Sequence, residues 1–492
     1  MVNAAPRRKP GKAAGVPLSL PRFSTSVRLS EVTEEGVRFE AGAFNIEARR
    51  AVQQMRAAGF TLLPLYGKSD GLCPEASNAF RFARVYVLPE HGIPFLSSSD
   101  IISARPEIDR YLSRKLTRKL DELIVNDWDV LISCSGTVGN VGLASPDTFA
   151  GKALSQHAIK LRALNPETAG YVTAFLRSRF GRPQLLNAQY GSVIRHIEPL
   201  HLQRILIPEL KEHRARLGRA VVHAYELRDQ ANKLLDEADT NLHSLLKLPR
   251  LSEVFTQKEG PVIIRQHASR LAGRFEGSFH DPIVHVAEKI LQKSTFEIAS
   301  LSDPRVTIEI RAITKFRKRV YVPTGGIPML SSKQLMQIDP VDIKRLAKGA
   351  HTKDLPEIAL KRGTVTVSCS GTTGRVQIIP AYMEGWTANQ HATRLFAASA
   401  FNAGYLYAWL SSDYGQRLLR RYSYGSVILE IDRDMIGAVP IPLPPPDARN
   451  KIGDLVLRAN ELRDQAWRIE RDAIGELESL IEGRPRSLVR PS

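Results

Sequence analysis

The sequence predicts an α+β protein built from two tandem units of mixed α/β structure, each followed by one long α-helix. Three observations point to this fold class: a repeat that spans most of the chain, short β-like runs inside each copy, and a long amphipathic run at the end of each copy. The chain has 492 residues, of which 43% are hydrophobic, so it is long enough to bury more than one core.

The repeat consists of short motifs that return in the same order 234 to 236 residues later. Clear pairs are Ser133–Thr137 with Ser368–Thr372, and Tyr190–Ile194 with Tyr424–Ile428. Because so many collinear matches do not arise by chance, we infer a tandem duplication. A period of this length indicates two domains and not a solenoid of short repeats.

Each copy has the same order of predicted elements. Short runs of β-branched and apolar residues bounded by Gly, Pro and Ser predict strands. These runs are Arg84–Leu88, Val130–Ser133, Arg319–Val322 and Val365–Ser368. An aromatic segment with helical spacing follows in each copy, at Ala169–Arg179 and Ala403–Ser412.

The long helices are predicted from apolar residues that alternate between steps of three and four, which form one narrow seam on a helix. The seam includes Leu227, Leu234 and Leu242 in the first copy and Leu462, Ile469 and Leu477 in the second. Both copies contain Glu-Leu-Arg-Asp-Gln-Ala. Two equal seams predict that the helices lie against each other. Pro249 and Gly483 are predicted to end the two helices, and Asp447 to cap the second.

The charge of the chain favours an anionic polymer as partner. The formal net charge is +18 and the sequence pI is near 9.8, which indicates nucleic acid before membrane. No stretch approaches the roughly 20 apolar residues of a membrane span. The basic, Pro- and Gly-rich start, residues 1–22, is predicted to be a disordered arm and not a secretory signal.

The cysteine content favours a cytoplasmic protein without a metal site. The three cysteines, Cys73, Cys134 and Cys369, are odd in number and lack Cys-x-x-Cys spacing. This fits a reducing compartment and argues against a disulfide scaffold or a zinc site.

The Ser-Cys-Ser-Gly-Thr-x-Gly segment follows a predicted strand in both copies. Glycines on both sides of a threonine allow a tight turn that exposes backbone N–H groups and a hydroxyl, which can contact a phosphate. The candidate DNA-binding residues here are Ser135, Thr137, Thr372 and Arg375. A purely structural β-turn explains the motif equally well, and the motif is not a Walker A loop.

A Tyr-Gly-Ser-Val segment follows a helix with basic residues in both copies. Tyrosine and glycine near arginine suit contact with a nucleic-acid backbone. The candidates are Arg179 and Tyr190 in the first copy and Arg421 and Tyr424 in the second. A buried turn that joins the unit to its long helix is the alternative.

Base reading is expected where the two copies differ, since sequence choice depends on side chains that reach base edges. Residues 72–84 differ from residues 306–319, and residues 105–119 differ from residues 342–353. The candidate cations are Arg81 and Arg84 in the first copy and Lys315, Arg317, Lys318 and Arg319 in the second. Solvated charged loops are the alternative.

The sequence offers no catalytic residues. The Gln156-His157 and Gln390-His391 pairs lie near a cysteine motif, but no carboxylate is placed alike in both copies to orient the imidazole. We find no amino-methyltransferase motif, no glycine-rich cofactor loop after a strand, no His-Glu-x-x-His and no metal-nuclease set. We therefore expect a chain without catalytic or metal-binding residues.

Two basic units in tandem, each closed by a related long helix, resemble the specificity subunit of type I restriction-modification systems. The resemblance rests on the Ser-Gly-Thr-x-Gly loops (residues 135–139 and 370–374), the Gln-His starts of the following strands, the Tyr-Gly-Ser segments and the closing helices. It covers nearly the whole chain, from about residue 24 to residue 482.

The resemblance implies a domain order and an architecture. Residues 23–211 and 249–446 would be target recognition domains, residues 212–248 and 447–482 spacer helices, and residues 483–492 a tail. The helices would pack as an antiparallel coiled coil with pseudo-two-fold symmetry.

The resemblance also implies partners. These would be double-stranded DNA with a bipartite target, two methyltransferase subunits that carry S-adenosylmethionine, and a restriction or translocase subunit. No cofactor would bind this chain itself. Two alternatives from other classes remain, a protein-binding scaffold and a stand-alone DNA-modifying enzyme.

Overall fold

A computed structural model describes residues 27–34, 44–191, 195–255, 263, 265–271, 273–313 and 319–483. The predicted N-terminal arm and nearly all of the predicted tail lie outside these residues, as do Lys315, Arg317 and Lys318. Among the helices described, none is long and apolar enough to cross a membrane.

The elements of the first half alternate short strands with helices. They are α1 (Leu29–Glu34), α2 (Ile46–Ala57), β1 (Leu62–Pro64), β2 (Glu75–Asn78), β3 (Tyr86–Val87), β4 (Gly92–Leu96), β5 (Tyr111–Ser113), α3 (Leu120–Leu123), β6 (Val130–Ser133), β7 (Val141–Leu143), β8 (Ala153–Leu154), β9 (Ala158–Arg162), α4 (Pro166–Arg177), α5 (Gly181–Asn187), β10 (Leu206–Pro208) and α6 (Lys211–Leu246). We refer to residues 44–210 as the first unit.

The second half repeats this plan. Its elements are α7 (Leu251–Val254), α8 (Pro282–Leu291), β11 (Glu297–Ser300), β12 (Thr307–Arg311), β13 (Tyr321–Val322), β14 (Ile327–Leu330), β15 (Lys344–Leu346), α9 (Leu355–Ile358), β16 (Val365–Ser368), β17 (Val376–Ile378), β18 (Thr387–Ala388), β19 (Ala392–Ala397), α10 (Ala400–Ser411), α11 (Asp413–Arg420), α12 (Arg433–Gly437), β20 (Pro440–Leu443) and α13 (Pro446–Glu482). We refer to residues 251–445 as the second unit. Short 3₁₀ turns join several elements, at Pro89–His91, Asp100–Ile102, Pro199–Arg204, Ala268–Arg270, Gln334–Met336, Gly349–His351 and Ala381–Met383.

The two units have matching sheets. One sheet has the strand order β2-β9-β6-β7 in the first unit and β12-β19-β16-β17 in the second. Another has the order β3-β5-β4-β8 and β13-β15-β14-β18, with one parallel pair at β4–β8 and at β14–β18. A two-stranded sheet, β1–β10 or β11–β20, completes each set. The mixed α/β class predicted from the sequence is confirmed, and the repeat is visible in the strand order.

The predicted strands at residues 130–133 and 365–368 are β6 and β16, with the predicted bounds. All four residues of each strand are buried, as expected for a central strand rich in valine and isoleucine. The predicted helices appear as α4 and α10. Each packs along the start of the long helix that follows it.

The long helices α6 and α13 pack against each other in opposite directions. Arg216 near the start of α6 pairs with Glu476 near the end of α13, and Arg463 of α13 donates to Asn232 of α6 at 2.9 Å. At the centre, Ala224 and Leu227 contact Ala466. At about 1.5 Å per residue, each helix is roughly 55 Å long.

The predicted seam is only partly directed at the partner helix. Leu227, Leu462 and Ile469 belong to the small cluster between the helices. Leu242 instead lies in the core of the second unit and Leu477 in the core of the first, while Leu234 is half-buried against the second core. Each long helix therefore buries more than one face, because its ends pack on both the other helix and a unit.

Close backbone contacts set how each unit sits on its long helix. Gly170 of α4 faces Gly218 of α6, and Gly404 of α10 faces Gly453 of α13. A Cβ atom on Gly218 would lie 1.8 Å from the carbonyl oxygen of Glu167. These positions therefore exclude any side chain.

The shared Glu-Leu-Arg-Asp-Gln-Ala segment attaches each helix to its own unit through its aspartate. Asp229 of α6 is buried and accepts from Ser145 Oγ at 2.6 Å and from the Asp147 backbone N–H at 3.0 Å. Asp464 of α13 accepts from the Tyr382 backbone N–H at 2.7 Å. Since Asp147 and Tyr382 are equivalent positions of the repeat, both copies keep the same attachment.

The predicted ends of the long helices need one correction. Gly483 ends α13 in the left-handed conformation, as predicted, and Lys247 takes the same conformation just before Pro249. Asp447 does not cap α13: the capping residue is Pro445, with Pro446 as the first helical residue. Asp447 lies in the first turn, where a negative charge suits the positive end of the helix dipole.

Candidate nucleic-acid interface

Three predicted motifs meet at one end of the central sheet of each unit. In the first unit, the backbone N–H of Cys134 donates to the carbonyl of His157 at 2.8 Å, and Ile197 donates to Cys134 at 3.0 Å. Tyr190 and His196 exchange two backbone hydrogen bonds, at 2.9 and 2.8 Å. We call this assembly of the Ser-Gly-Thr loop, the Gln-His turn and the tyrosine turn the loop cluster.

The second unit has the same loop cluster. Cys369 donates to His391 at 2.9 Å, and Ile431 donates to Cys369 at 2.9 Å. Tyr424 and Glu430 exchange backbone hydrogen bonds at 2.9 and 2.8 Å. The motifs that the sequence singled out are therefore brought together twice, with the same connections.

The serine two residues before each Ser-Gly-Thr loop, Ser133 or Ser368, holds the loop closed. Ser133 Oγ donates to the carbonyl of Thr137 at 2.6 Å and accepts from the Asn140 backbone N–H at 2.9 Å. Ser368 makes the same pair of bonds with Thr372 and Arg375, at 2.5 and 2.9 Å. The side chains of Thr137 and Thr372 are left exposed at the tips, so a structural turn and a surface hydroxyl occur together.

Ser135, the other serine of the first loop, is half-buried and pairs with His196 through a backbone bridge. Gly136 and Gly371 have φ values of 76° and 78°, which a residue with a side chain rarely adopts. The glycines are therefore needed to turn the chain between the half-buried serine and the exposed threonine.

An arginine from the divergent segment reaches the Gln-His turn in both units. Arg84 donates to Gln156 Oε1 at 3.4 Å, and its guanidinium carbon lies 5.3 Å from the ring centroid of Phe95. Arg319 bonds Gln390 in the equivalent way. The sequence linked these glutamines to a strand start and did not connect them to the arginines.

The field in the first loop cluster is positive. Burial lowers the pKa of His157, and the neighbouring charges of Arg84, His196 and Arg81 lower it further. A neutral imidazole is thus maintained beside exposed arginines. The positive charges around His157 attract phosphate.

The tyrosines of the loop clusters are partly buried. Tyr190 hydrogen-bonds Glu198, which raises the pKa of its hydroxyl to about 12, and its ring lies edge-on to His201. Burial raises the pKa of Tyr424. Both tyrosines brace their turns, so the buried-turn alternative describes their immediate role.

Two predicted DNA-contacting arginines, Arg179 and Arg421, form ion pairs within the protein. Arg421 is buried, bonds Glu288 and lies 4.3 Å from the ring centroid of Phe279. Arg179 pairs with Glu478 and Glu482 at the end of α13. The assignment of Arg421 to DNA was wrong, because Arg421 is buried against Glu288. The side chain of Arg179 is 50% exposed, so its contact with DNA stays a prediction.

Arg375 faces the other unit. Its guanidinium lies 3.9 Å from Glu107, and Arg420 lies 3.5 Å from the same carboxylate. In the opposite direction, Arg182 of the first unit donates to Asp342 of the second at 2.8 Å. Arg375 therefore contributes to a contact between the units.

The direct contact between the units was not predicted from the sequence. Ser103 pairs with Gln337 in an antiparallel bridge, Ala104 donates to Met336 at 2.9 Å and Ile338 donates to Ile102 at 2.8 Å. At an offset of 234, Ile102 corresponds to Met336 and Ala104 to Ile338. The two hydrogen bonds are therefore equivalent, as expected for two units related by a two-fold axis. Their sequences carry no signal for the pairing.

Buried charges join both units to the long helices beside this bridge. Asp339 accepts from Arg177 at 2.6 Å, from Arg471 at 2.6 Å and from Trp467 at 3.0 Å. Glu470 pairs with Arg228 at 2.6 Å and also with Arg177. These charges come from α4, α6, α13 and the second unit. All but Arg471, whose side chain is 42% exposed, are nearly removed from solvent.

An exposed apolar tip lies beside the second Ser-Gly-Thr loop. Val427 is 93% exposed and Ile428 is 60% exposed, and the Leu429 carbonyl accepts from Gly371 at 2.9 Å. From the sequence, the tyrosine of this segment was named as a candidate, and its apolar residues were not considered. A run of three aliphatic residues just after a Gly-Ser turn is the signal that could have identified this surface.

The cysteines do not support a nucleophile. Burial raises the pKa of Cys134 to about 11 and also raises the pKa of Cys369. Within the described residues, no group of three or more His, Cys, Asp or Glu side chains is placed to hold a metal ion.

Several solved structures are similar to this chain at low sequence identity. An S subunit of a type I restriction-modification system from M. genitalium is 12% identical, with 83% of this chain and 92% of that chain covered and a TM-score of 0.33. The HsdS subunit from Thermoanaerobacter tengcongensis is 16% identical, with 84% and 98% covered and a TM-score of 0.26. A structure reported for complex assembly and conformational transition of the type I R-M system is 16% identical, with 86% and 96% covered and a TM-score of 0.27.

No curated protein sequence matches the chain significantly. One family model does match, over residues 308–458, and it describes the type I restriction modification DNA specificity domain. The matched region runs from β12 through the second loop cluster into α13, and the internal repeat relates it to the first half of the chain. Residues 308–458 of the chain are therefore similar to the DNA specificity domain of type I restriction-modification systems.

Proposed function

We propose that the chain is a non-catalytic DNA-recognition subunit of a type I restriction-modification complex or a related methylation-based defence complex. Each unit reads one half of a split target in double-stranded DNA. The observation that carries the proposal is the duplicated loop cluster, the second copy of which lies in the region similar to a DNA specificity domain. Two readers with a two-fold relation suit two half-sites at a set distance, since the faces of a DNA duplex turn with its helix.

The long helices set the distance in this proposal and also receive the partners. Two methyltransferase subunits, which supply S-adenosylmethionine and the catalytic residues, dock on the outer faces of α6 and α13. Support comes from the many exposed polar residues that both helices retain along their length. A restriction or translocase subunit would complete the complex.

Selection of DNA targets tests the proposal. The full chain, with methyltransferase subunits added, is incubated with a random duplex library, and the bound fraction is sequenced. We expect a motif of two defined parts separated by a gap of constant length. Recovery of a single continuous motif, or of no motif, contradicts the proposal and favours a protein-binding scaffold.

A second measurement addresses the alternative of a stand-alone enzyme. The purified chain is incubated with DNA, Mg²⁺ and S-adenosylmethionine, first alone and then with methyltransferase subunits. We expect methyl transfer only in the second mixture. Methylation or cleavage by the chain alone would exclude a purely recognising role.

A further inference from the structure

The first unit has a cleft of about 340 Å³ that lies outside the loop cluster. Residues 80–85 form one wall and residues 116–119 the other. The walls meet because β3 and β5 are antiparallel neighbours, with the Ser113 backbone N–H donating to the Val85 carbonyl at 2.9 Å. Except for Val85, the wall residues lie in residues 72–84 and 105–119, two regions in which the first and second copies differ in sequence.

The cleft combines an apolar floor with a cationic rim. The rings of Phe80 and Phe82 lie 5.8 Å apart and are half-buried, and Leu116 at the rim is 65% exposed. Arg81, Arg118 and Lys119 are exposed around them. A volume near 300 Å³ falls at the small end of the range for ligand sites, roughly 300–1,000 Å³.

The cations of the rim are available for a partner. Within the described residues, no carboxylate lies within ion-pair distance of Arg81 or Arg118. Lys119 pairs with Glu122 at 2.8 Å, yet its side chain remains 63% exposed and its ammonium lies 5.5 Å from the ring centroid of Phe80. The backbone of Lys119 is left-handed, with φ at 48°, a strained conformation that is more common at functional sites.

We propose that this cleft, which we name the reading cleft, contacts base edges of duplex DNA and determines the sequence of the first half-site. The inference rests on the proposed function. Arginine and lysine donate to O6 and N7 of guanine, and apolar side chains contact the methyl group of thymine. A surface that only bound phosphates would need the cations but not the exposed Leu116 in the same cleft.

The test uses the full chain with methyltransferase subunits and the same random duplex library. Arg81→Ala and Lys119→Met are compared with the unchanged chain. Each substitution should reduce discrimination at one or two base pairs of the first half-site by roughly 5- to 150-fold, with the second half-site unchanged. Lys353→Met, in the corresponding segment of the second unit, is the matched control and should affect only the second half-site.

The outcomes separate this inference from the proposed function. A split motif whose first half is unchanged in Arg81→Ala, Lys119→Met and a third variant, Arg118→Ala, overturns the reading cleft and leaves the proposed function standing. Equal weakening of binding to all sequences also overturns it, since that marks phosphate contacts. Absence of a split motif with the unchanged chain contradicts the proposed function itself. Circular dichroism of each variant confirms that loss of binding is not loss of fold.

Discussion

The imidazole of His243 lies in the last turn of α6, between two oxygen acceptors. Its Nδ1 is 3.0 Å from the Leu248 carbonyl oxygen and its Nε2 is 3.1 Å from a carboxylate oxygen of Asp413, on α11. Burial lowers the pKa of His243, but the two acceptors outweigh burial and the net pKa is raised. The pKa of Asp413 is lowered, since its bonds outweigh burial. The charged pair therefore joins the first long helix to the second unit.

The raised pKa predicts that this joint weakens in alkali. A group whose pKa is higher in the folded state stabilises the fold fully at pH values below its unfolded pKa, which is about 6.5 for histidine. This contribution is lost as the pH rises through the pKa of the folded state. His243→Gln should lower the free energy of unfolding by roughly 1.5–3 kcal/mol at about pH 6, and by less at about pH 8.5. Urea unfolding at both pH values measures the difference. The exposed His223 on the same helix is the control, and an equal loss at both pH values would refute the role of the imidazole charge.

Single residues show the limits of reading charge from a sequence. The exposed Arg81 and the buried Arg421 are alike as residue types and lie in similarly basic contexts. They differ because Glu288 reaches Arg421 from a helix 133 residues away, while no described carboxylate reaches Arg81. Tertiary packing decides which long-range partner an arginine meets. The sequence therefore predicted a basic surface but could not show which arginines are exposed and which are paired with a carboxylate.

At the scale of elements, the contact between a unit and its long helix depends on paired glycines. The carbonyl oxygens of Glu167 and Phe401 lie 1.8 and 2.3 Å from where a Cβ on Gly218 or Gly453 would be. Backbone cannot move away as a flexible side chain can. The helices α4 and α6, and likewise α10 and α13, therefore approach more closely than side chains normally permit.

Adding a methyl group at this contact should separate the helices. Gly218→Ala should lower the free energy of unfolding by roughly 1–3 kcal/mol or more, because overpacking shifts the backbone of α4 against α6. Gly349→Ala is the control, since its Cβ would meet nothing within 4 Å. Thermal unfolding of both variants is the measurement. A Gly218→Ala protein as stable as the control would mean that the two helices can move apart freely.

Elements with strong periodicity were predicted well. The strands β6 and β16 and the two long helices follow directly from valine-rich runs and three-four spacing, and their bounds agree within two residues. The faces of the long helices were predicted less well. A seam of leucines shows that a helix is buried, yet it does not say against what, and Leu242 and Leu477 face the cores of the units.

At the scale of the whole molecule, the two units are held by direct contact as well as by the helix pair. The bridge at Ser103 and Gln337 places the units face to face, and Asp339 beside it binds one arginine from α4 and one from α13. Burial raises the pKa of Asp339, but Arg471 and Arg177 outweigh it and lower the pKa to about 2. The carboxylate is therefore charged at all ordinary pH values and fixes three elements at one point.

Asp339 lets the spacing of the two units be tested separately from their ability to read DNA. Asp339→Asn keeps the shape of the side chain but removes the charge that compensates Arg177 and Arg471, which should cost roughly 3–5 kcal/mol of unfolding free energy. In target selection, the variant should keep both half-sites and accept more than one gap length, because the direct contact no longer fixes the distance. Asp342→Asn is the control, since Asp342 is 65% exposed and its pair with Arg182 is expected to contribute little. If Asp339→Asn loses stability but still selects a single gap, the helix pair alone sets the spacing and the bridge serves only to stabilise the fold.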